Sequence, residues 1–360
     1  MIKSIKHSAT IILIAFMFIG CEKTTDTLVV DALKQQEIDA FHEKANNFLS
    51  KRNFNGSILV AKDGFVYLAE GYGLLDENFE SPNERGTIYP IGSLTKSFTS
   101  MAIMQLQEDN KLNVHDPIEK FFPNYPNDAK ITIHHLLTHT SGINPNPIDF
   151  TEFNELLNEN NGIMDKNIIN KIVEIAANQP LLFEPGTQHD YSNNGYLLLG
   201  AIIEEVSGRP YGAYIEEYIC KPLNMNNTGY NDSNVPLTGQ AIGFTKGYTT
   251  NVSPSMAYAG GGMHSTIDDL FKWSQGIKDH KLVSKKTTIA MLTPFMDAYS
   301  YGWYIYADKF MHRGKINGYR SFFVTDTKKD YTLIILSNYP STAEVSRIVD
   351  VLTSYINELK

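Results

Sequence analysis

At 360 residues the chain is longer than most single compact domains, so its length permits either one large core with an inserted subdomain or two separate domains. Its 42% hydrophobic and 20% charged residues are typical of an ordinary globular protein. With 40 acidic against 31 basic residues, a formal net charge of -9 and no basic run, the chain is a poor candidate for nucleic-acid binding.

The beginning of the chain has the pattern of a secretory signal. Lys3 and Lys6 precede an apolar run over about residues 9–19, which is too short for the roughly 20 apolar residues of a membrane-spanning helix. The ending "FIGC" resembles a bacterial lipobox, which predicts a signal peptide over residues 1–20 and a lipidated Cys21. An uncleaved anchor and an ordinary signal peptide are the alternatives. A lipid anchor at this cysteine predicts a membrane-attached protein of the cell envelope, facing the periplasm or on the outer surface.

The spacing of apolar residues predicts the elements that follow. After a polar tether over residues 21–32, a helical stripe leads to two β-rich runs joined at Asp63 and Gly64, a strong hairpin signal. Helical patterns dominate from about 94 to 240, and strands return before a last helix with a capping box at Ser341. The residues of the first stripe are Ile38, Phe41, Ala45, Phe48 and Leu49.

Strands at both ends and helices in the middle predict an α+β fold. In it, an antiparallel sheet is flanked by the N- and C-terminal helices. We expect residues 33–360 to form one domain, with an α/β part over about 33–92 and 240–360 and an inserted helical subdomain over about 93–239. Cys220 lies on an apolar helix face and is expected to be a small buried hydrophobic side chain.

A serine and a lysine three positions apart stand at the start of a predicted helix, in the stretch "PIGSLTKSFTS". Ser93 would feel the positive end of the helix dipole, which favours an alkoxide-like oxygen and disfavours a protonated amine. Lys96 would lie on the same face, and a desolvated lysine can take the proton of a serine hydroxyl. The pair alone is also compatible with two polar residues on a solvated helix face, because S-x-x-K occurs by chance at ordinary residue frequencies.

Two further stretches carry candidate site residues. Tyr191 and Asn193 stand at a loop–helix junction, where side chains often face a cleft. An aromatic filler and a helix N-cap explain the same two residues. A late strand ends in His312-Arg313-Gly314, which can bring backbone N–H groups and a cationic side chain to a pocket edge, or be the basic tip of a surface strand.

Other conspicuous residues are expected to be structural. His135 and His139 have the i, i+4 spacing of a zinc pair, but no glutamate follows His135 and no third ligand is evident, so neither a metal nor a cofactor is predicted. The glycines at 260–262 lack the Gly-Lys-Ser/Thr of a phosphate loop and are expected to allow close packing of a strand beside the site. His264 and His312 are expected to line the pocket.

The order and spacing of the three motifs resemble one protein family. S-x-x-K, then Y-x-N about a hundred residues later, then H/K-x-G on a late strand is the motif set of the serine β-lactamase and DD-peptidase superfamily, specifically its class C β-lactamase-like branch. The resemblance extends over nearly the whole chain from about residue 35. Further matching stretches are "ITIHHLLTHTSGI" at 131–143, "FEPGTQHDYSNNGYLLLG" at 183–200, "AGGGMHSTIDDLFKW" at 259–273 and "YGWY" at 301–304.

The resemblance implies a role for each motif residue. Ser93 would be the acylated nucleophile, and Lys96 and Tyr191 would transfer protons to and from it. Asn193 would hold the lysine and the amide side chain of the substrate. The backbone N–H groups of Ser93 and Lys315 would form the oxyanion hole. The remaining substrate-binding residues that the resemblance implies are His312, Arg313 and Gly314.

The third motif departs from that of true β-lactamases, which carry Lys-Thr-Gly there. Arg313 replaces the threonine whose hydroxyl usually contacts a substrate carboxylate, so it would either bind a carboxylate itself or point away into the sheet. The resemblance therefore implies a serine hydrolase acting on a D-amino-acid peptide, an amide or an ester, with efficient β-lactam hydrolysis in question. The alternative is a non-catalytic penicillin-binding or sensor lipoprotein of the same fold.

Overall fold

A computed structural model describes residues 25–52, 54–76, 79–123, 125, 131–145, 155, 165–230, 236–244, 257–339 and 341–359. The α-helices in this part of the chain are α1 (Thr25–Leu49), α2 (Thr95–Glu108), α3 (Ile133–Leu137), α4 (Lys166–Ala177), α5 (Asn193–Ser207), α6 (Tyr211–Ile215), α7 (Tyr258–Gly261), α8 (Ile267–Lys278), α9 (Lys285–Met291) and α10 (Thr342–Glu358). The strands are β1 (Gly56–Lys62), β2 (Phe65–Tyr72), β3 (Leu74–Asp76), β4 (Phe79–Pro82), β5 (Tyr89–Pro90), β6 (Gly229–Tyr230), β7 (Met263–Ser265), β8 (Tyr304–Tyr306), β9 (Lys309–Ile316), β10 (Tyr319–Asp326) and β11 (Tyr331–Ser337).

Six strands form one antiparallel sheet in the order β2-β1-β11-β10-β9-β8. Asp63 and Gly64 join β1 to β2, and their φ angles of 51° and 80° are the left-handed values that a two-residue hairpin turn requires. The β9–β10 hairpin pairs Ile316 with Tyr319. β8 pairs with β9 only as far as Met311, so among the described strands the rest of β9 is a free sheet edge.

The sheet separates two hydrophobic cores. Helices α1 and α10 cover one face, where alternate strand residues such as Phe322 and Ile335 are buried. On the opposite face, the neighbouring residues Phe323 and Ile334 belong to a larger core shared with the helical region. This period-two alternation means that consecutive residues at the free end of β9 also point to opposite faces.

Helix α2 is the central helix of the larger core. Its residues are buried from Thr95 to Met104, because α5, α6, α7 and α9 pack around it. Phe98 stacks on Trp273 of α8 with ring centroids 4.2 Å apart. Polar groups on so buried a helix need partners, and Thr99 accordingly donates to the carbonyl oxygen of Ala259 at 2.7 Å.

The predicted α+β fold class is confirmed, with the first and last helices flanking an antiparallel sheet. Ser341 is the N-cap of α10, and its side chain accepts a hydrogen bond from the Glu344 N–H at 3.1 Å. Helix α1 includes residues 25–32, where the sequence contains neither glycine nor proline to stop a helix, and the role of residues 21–32 as a tether stays a prediction. The division into an α/β part and a helical subdomain stays a prediction.

The signal peptide over residues 1–20 and the lipidation site Cys21 lie outside the described residues. Within the described part of the chain, none of the helices combines the length and the apolar character needed to cross a membrane. Cys220 is 2% exposed, as predicted for a small buried hydrophobic side chain.

Candidate active site

Ser93 lies in a 3-10 turn, Gly92–Leu94, that connects β5 to α2. It therefore precedes the α-helix instead of lying within its first turn as predicted. Gly92 has a φ of 55°, a left-handed value that glycine adopts without strain, and this reversal leads the chain from the strand into the helix. The serine is half-buried and lines a cavity of about 590 Å³.

Lys96 is fully buried beside the serine. Its Nζ lies 3.2 Å from Ser93 Oγ. The same nitrogen donates to Oδ1 of Asn193 at 2.8 Å and to the main-chain oxygen of Gly260 at 2.6 Å. The ring centre of Tyr191 lies 4.9 Å from it. The structure thus brings the lysine, the serine, the tyrosine and the asparagine of the first two motifs together.

Burial lowers the pKa of Lys96 from 10.5 to about 7, because a protonated amine loses its hydration there. The contacts that replace water are neutral oxygen atoms and aromatic rings, and none of the ion pairs in the described part of the chain involves this lysine. A large fraction of the side chain is therefore an unprotonated amine near neutral pH.

Tyr191 ends the loop that precedes α5. The N-cap of α5 is Ser192, whose side chain accepts from the Gly195 N–H at 3.3 Å, so the alternative in which Asn193 is the cap is wrong. Burial raises the pKa of the Tyr191 phenol well above 10, while its hydrogen bond with the Ser93 side chain opposes that rise. The phenol accordingly keeps its proton and lies within hydrogen-bonding reach of the nucleophile candidate.

His312 is the residue of the third motif that faces the larger core, and it is 1% exposed. Its Nδ1 lies 2.8 Å from the Arg313 carbonyl oxygen, which only accepts, so this nitrogen carries the proton. Nε2 then accepts from the Tyr299 hydroxyl at 3.2 Å. Burial, assisted by the nearby Lys96, lowers the pKa of His312 to about 3, so the ring is neutral at any physiological pH.

Gly314 allows β9 to lie directly against the turn that carries Ser93. A Cβ atom at this position would stand 2.0 Å from the Ile91 carbonyl oxygen and 2.3 Å from Ser321 Oγ. Across the same contact, a Cβ on Gly92 would stand 3.0 Å from the main-chain nitrogen of Lys315. Both glycines therefore serve one close approach between strand and turn.

The Lys315 N–H points out of the sheet edge towards this turn. In a hairpin closed by two residues, the pair that flanks the turn, Ile316 and Tyr319, is hydrogen-bonded, and pairs alternate along the strands. Lys315 and Arg320 are the next pair, so the N–H of Lys315 faces away from β10. The close approach thus places the main-chain nitrogen of Lys315 beside the turn that carries Ser93, at the cavity that both residues line.

Arg313 faces the opposite side of the sheet from His312. Its guanidinium lies over the ring of Phe322, 5.6 Å from the ring centre, and its carbonyl oxygen is held by the histidine. Of the two orientations expected for this side chain, the structure has the one directed away from the catalytic pair, although Arg313 still lines the far side of the cavity. The remaining lining residues include Tyr304, Tyr306, Met311, Arg320, Ser321, Thr342, Val345 and Ser346.

Two neighbours of the site have contacts that the sequence analysis did not predict. The Gly260 carbonyl belongs to the helical turn α7, where close packing of a strand was expected, and backbone acceptors leave no mark on a sequence. His139 packs its ring 4.2 Å from that of Tyr191 and accepts from the Ser192 N–H at 3.1 Å. Its sequence signals were its place in the matching stretch at 131–143 and its i, i+4 spacing from His135, and neither indicated a contact with Tyr191.

Two other histidines considered in the sequence analysis lie away from Ser93 and Lys96. His264 lines a separate cavity of about 530 Å³ with Glu204 and Tyr230, so the expectation that it lines the Ser93 cavity is wrong. His135 accepts from the Thr132 N–H at 3.2 Å and completes the N-terminal cap of α3. Within the described ranges, no group of three His, Cys, Asp or Glu side chains could hold a metal ion.

Comparison with known families agrees with this geometry. The sequence profile of the family described as Beta-lactamase matches residues 37–352. The chain belongs to the beta-lactamase family. Its membership confirms the predicted superfamily, whereas the assignment to the class C branch stays a prediction.

Relatives within the beta-lactamase family cover most of this chain. PbpX of Bacillus subtilis (strain 168) is 29% identical over 324 residues, which are 88% of this chain and 79% of PbpX. Protein flp of Staphylococcus aureus (strain MRSA252) is 32% identical over 348 residues, and the match spans 89% of this chain but only 66% of flp. The crystal structure of a penicillin binding protein from Bacillus halodurans has a TM-score of 0.74 at 26% identity, covering 86% of this chain and 99% of that one.

Proposed function

We propose that this member of the beta-lactamase family is a serine hydrolase that forms an acyl-enzyme at Ser93 and acts on a D-amino-acid peptide, an amide or an ester. The reaction would be a two-step acyl transfer, first to the serine and then to water. The observation that carries the proposal is the buried Lys96, whose Nζ lies 3.2 Å from the serine oxygen with no carboxylate beside it in the described part of the chain.

Lys96 suits the role of general base in the first step. An unprotonated amine has two N–H bonds and one lone pair. The carbonyl oxygens of Asn193 and Gly260 can only accept, so they take the two N–H bonds, and the lone pair is left for the Ser93 hydroxyl. The amine then removes the hydroxyl proton as the serine oxygen attacks the substrate carbonyl.

Tyr191 suits the role of proton donor to the leaving atom. Its phenol is protonated in the resting site and lies beside the serine oxygen. When the bond between the carbonyl carbon and the leaving atom breaks, the phenol gives its proton to the leaving atom. Lys96, which became an ammonium group when it took the serine proton, then returns a proton to Tyr191. The positive charge of that ammonium, 4.9 Å from the ring centre, lowers the cost of the transient phenolate.

The two backbone donors suit the negative charge that develops on the substrate oxygen. In this proposal the N–H groups of Ser93 and Lys315 would both reach the substrate oxygen, since Gly92 and Gly314 allow the strand to approach the turn. Such fixed donors cost no reorganisation during the reaction, and each accounts for about 10²–10³ in rate in enzymes with a comparable oxyanion hole.

The third motif supports a peptide, amide or ester as substrate more than a β-lactam. This chain lacks the threonine hydroxyl that true β-lactamases carry in the third motif. Arg313 stands in its place and is directed to the face of the sheet opposite His312. Penicillin binding, the property for which the Bacillus halodurans protein is named, requires only the acylation step, so we expect slow release of a penicilloyl group here.

A non-catalytic penicillin-binding or sensor protein remains the alternative in function. The complete constellation of Ser93, Lys96 and Tyr191 disfavours it, because a site that had lost its catalytic function would be expected to have lost at least one of these residues. For location, we propose attachment to the cell envelope through a lipid on Cys21, which metabolic labelling with a palmitate analogue and a Cys21→Ser variant would test.

A parallel assay tests the proposed function. The protein is incubated with nitrocefin, a p-nitrophenyl ester and a peptide ending in D-Ala-D-Ala, beside a Ser93→Ala variant and a control in which the exposed Ser50 is replaced by alanine. We expect turnover of the peptide or the ester that Ser93→Ala reduces by several orders of magnitude and Ser50→Ala leaves unchanged. Stable labelling by penicillin with no product from any substrate would favour the non-catalytic alternative.

A further inference from the structure

Three cationic side chains line the far side of the cavity that contains Ser93. They belong to Arg313, Lys315 and Arg320 and are called the cationic groove here. Arg320 is the cross-strand partner of Lys315, and such partners point to the same face of a sheet. Arg313 is two positions before Lys315 on β9, which places it on that face as well.

The cationic groove has no acidic partner in the described part of the chain. None of the ion pairs formed there includes Arg313, Lys315 or Arg320. Like charges directly opposite one another destabilise a sheet. The chain has 40 acidic residues, so its composition does not explain why the described part of the chain shows no ion pair at these three cations.

Neutral contacts fix two of the three cations. Arg320 donates from Nε to Thr342 Oγ1 at 3.0 Å and from Nη1 to the Tyr319 carbonyl oxygen at 2.7 Å. Arg313 lies over the ring of Phe322. These contacts hold the guanidinium groups in position without neutralising them, and a preorganised charge loses less conformational entropy when it binds a ligand.

The wall facing these cations also favours anions. Thr342 and Ser346, in the first two turns of α10, line the same cavity. This end of a 17-residue helix carries the positive end of the helix dipole, and the two hydroxyl groups are hydrogen-bond donors to an anion. The acidic residue of the first turn, Glu344, is paired with Arg52 at 3.6 Å.

We propose that the substrate of Ser93 carries at least two negative charges close together, and that Arg313, Lys315 and Arg320 bind them. The charged part of the substrate would extend from Ser93 around the edge of β9 towards α10. The inference rests on the proposed function and adds a substrate class to it: carboxylates or phosphates repeated along one chain. A single carboxylate would leave two of the cations facing each other without a counter-charge, whereas an oligoanion would neutralise all three cations at once.

Binding of simple oligoanions to the whole protein tests this proposal. The dissociation constants of tripolyphosphate, tri-L-glutamate and orthophosphate are measured by calorimetry at low ionic strength. We expect at least one oligoanion to bind about tenfold more tightly than orthophosphate, with an affinity that falls as salt is added. Tripolyphosphate alone would indicate a phosphate-bearing substrate, and tri-L-glutamate alone would indicate a carboxylate-bearing one.

Charge-removing variants of similar shape locate the binding. The double replacement Arg313→Gln/Arg320→Gln should weaken oligoanion binding by about three- to fivefold for each charge removed. The control is Lys309→Gln, on the same strand and face, where the amine already lies 3.8 Å from a carboxylate oxygen of Asp326. Binding that survives the double replacement, or equal affinity for orthophosphate and tripolyphosphate, would overturn the proposal.

Failure of this proposal differs from failure of the proposed function. If a neutral fluorophosphonate acylates Ser93 at the usual rate and no oligoanion binds selectively, only the substrate class is wrong. If the fluorophosphonate does not react, the hydrolase function is wrong whatever the groove binds. A pair of esters with the same acyl group, one with an uncharged alcohol and one with a bisphosphorylated alcohol, then measures selectivity as a ratio of kcat/KM. We expect the double replacement to reduce that ratio.

Discussion

Lys96 donates a hydrogen bond of 2.6 Å to the main-chain oxygen of Gly260, a residue 164 positions away in the chain. This contact fixes the amine of a buried lysine without placing a negative charge beside it. Because the partner is a neutral carbonyl, the pKa of the lysine stays depressed to about 7, and its lone pair remains available to the serine.

Asn193→Asp should shift the pH dependence of catalysis to higher pH. The new carboxylate would stand where the Asn193 oxygen now lies 2.8 Å from Lys96 Nζ, and an adjacent opposite charge raises the pKa of an amine by about 1 to 3. At pH 7 the unprotonated fraction, and with it kcat/KM, should fall by about fivefold if the pKa rises by 1 and by about fiftyfold if it rises by 2. Asn193→Ala is the control, since it loses the contact without adding charge and should not move the profile upward.

Tyr191→Phe should reduce kcat/KM by about 10²–10⁴, the usual contribution of a positioned proton donor. The ring contact with His139 at 4.2 Å is retained, so the loop should keep its conformation and the melting temperature should change little. Tyr196→Phe is the matched control, because that ring also lies near Lys96 but its hydroxyl donates to the Leu137 carbonyl oxygen. Equal losses in both variants would argue against a proton-transfer role for Tyr191.

Gly314→Ala should separate strand β9 from the serine turn. Its Cβ would stand 2.0 Å from the Ile91 carbonyl oxygen, so the strand must move and the Lys315 N–H with it. We expect kcat to fall by about 10²–10³ as one oxyanion donor is lost, and the free energy of unfolding to fall by about 1–3 kcal/mol. A full-rate Gly314→Ala enzyme would contradict this. In the control Gly86→Ala the new methyl group has no atom within 4 Å, so both quantities should stay near wild type.

Lys96 should make folding stability depend on pH. Its pKa is about 7 in the folded chain and near 10.5 when unfolded, so between these values the unfolded state binds more protons. The free energy of unfolding should therefore rise with pH in this range, by at most about 1.4 kcal/mol per pH unit from this residue. Urea unfolding of wild type and Lys96→Met at pH 7, 8 and 9 isolates the effect as their difference. A difference that does not change with pH would show that the buried amine is already protonated.

Much of the fold and of the site follows from local sequence signals. The Asp63-Gly64 turn, the Ser341 cap and the alternating strands lie where turn chemistry and periodicity predict them. Ser93 and Lys96 are close because they are three residues apart along one turn of chain, which any helical conformation brings together.

The remaining contacts depend on distant segments that meet only in the folded chain. The Gly260 oxygen is a backbone atom, and nothing in the residue type marks it as the partner of a lysine. The direction of Arg313 follows from the register of β9, since its neighbour His312 takes the buried face. His264 resembles a pocket residue in sequence but pairs with Pro90 in a different sheet and lines another cavity.

The activation of Ser93 by the unprotonated amine of Lys96 is tested most directly by the rate at which a neutral fluorophosphonate labels the protein between pH 5 and 9, with the labelled residue identified by peptide mass spectrometry. We expect label on Ser93, at a rate that rises with pH and levels off above an apparent pKa near 7, the value for the buried Lys96 amine. Label on another residue, or labelling of Ser93 at a rate that does not change through pH 7, would contradict it.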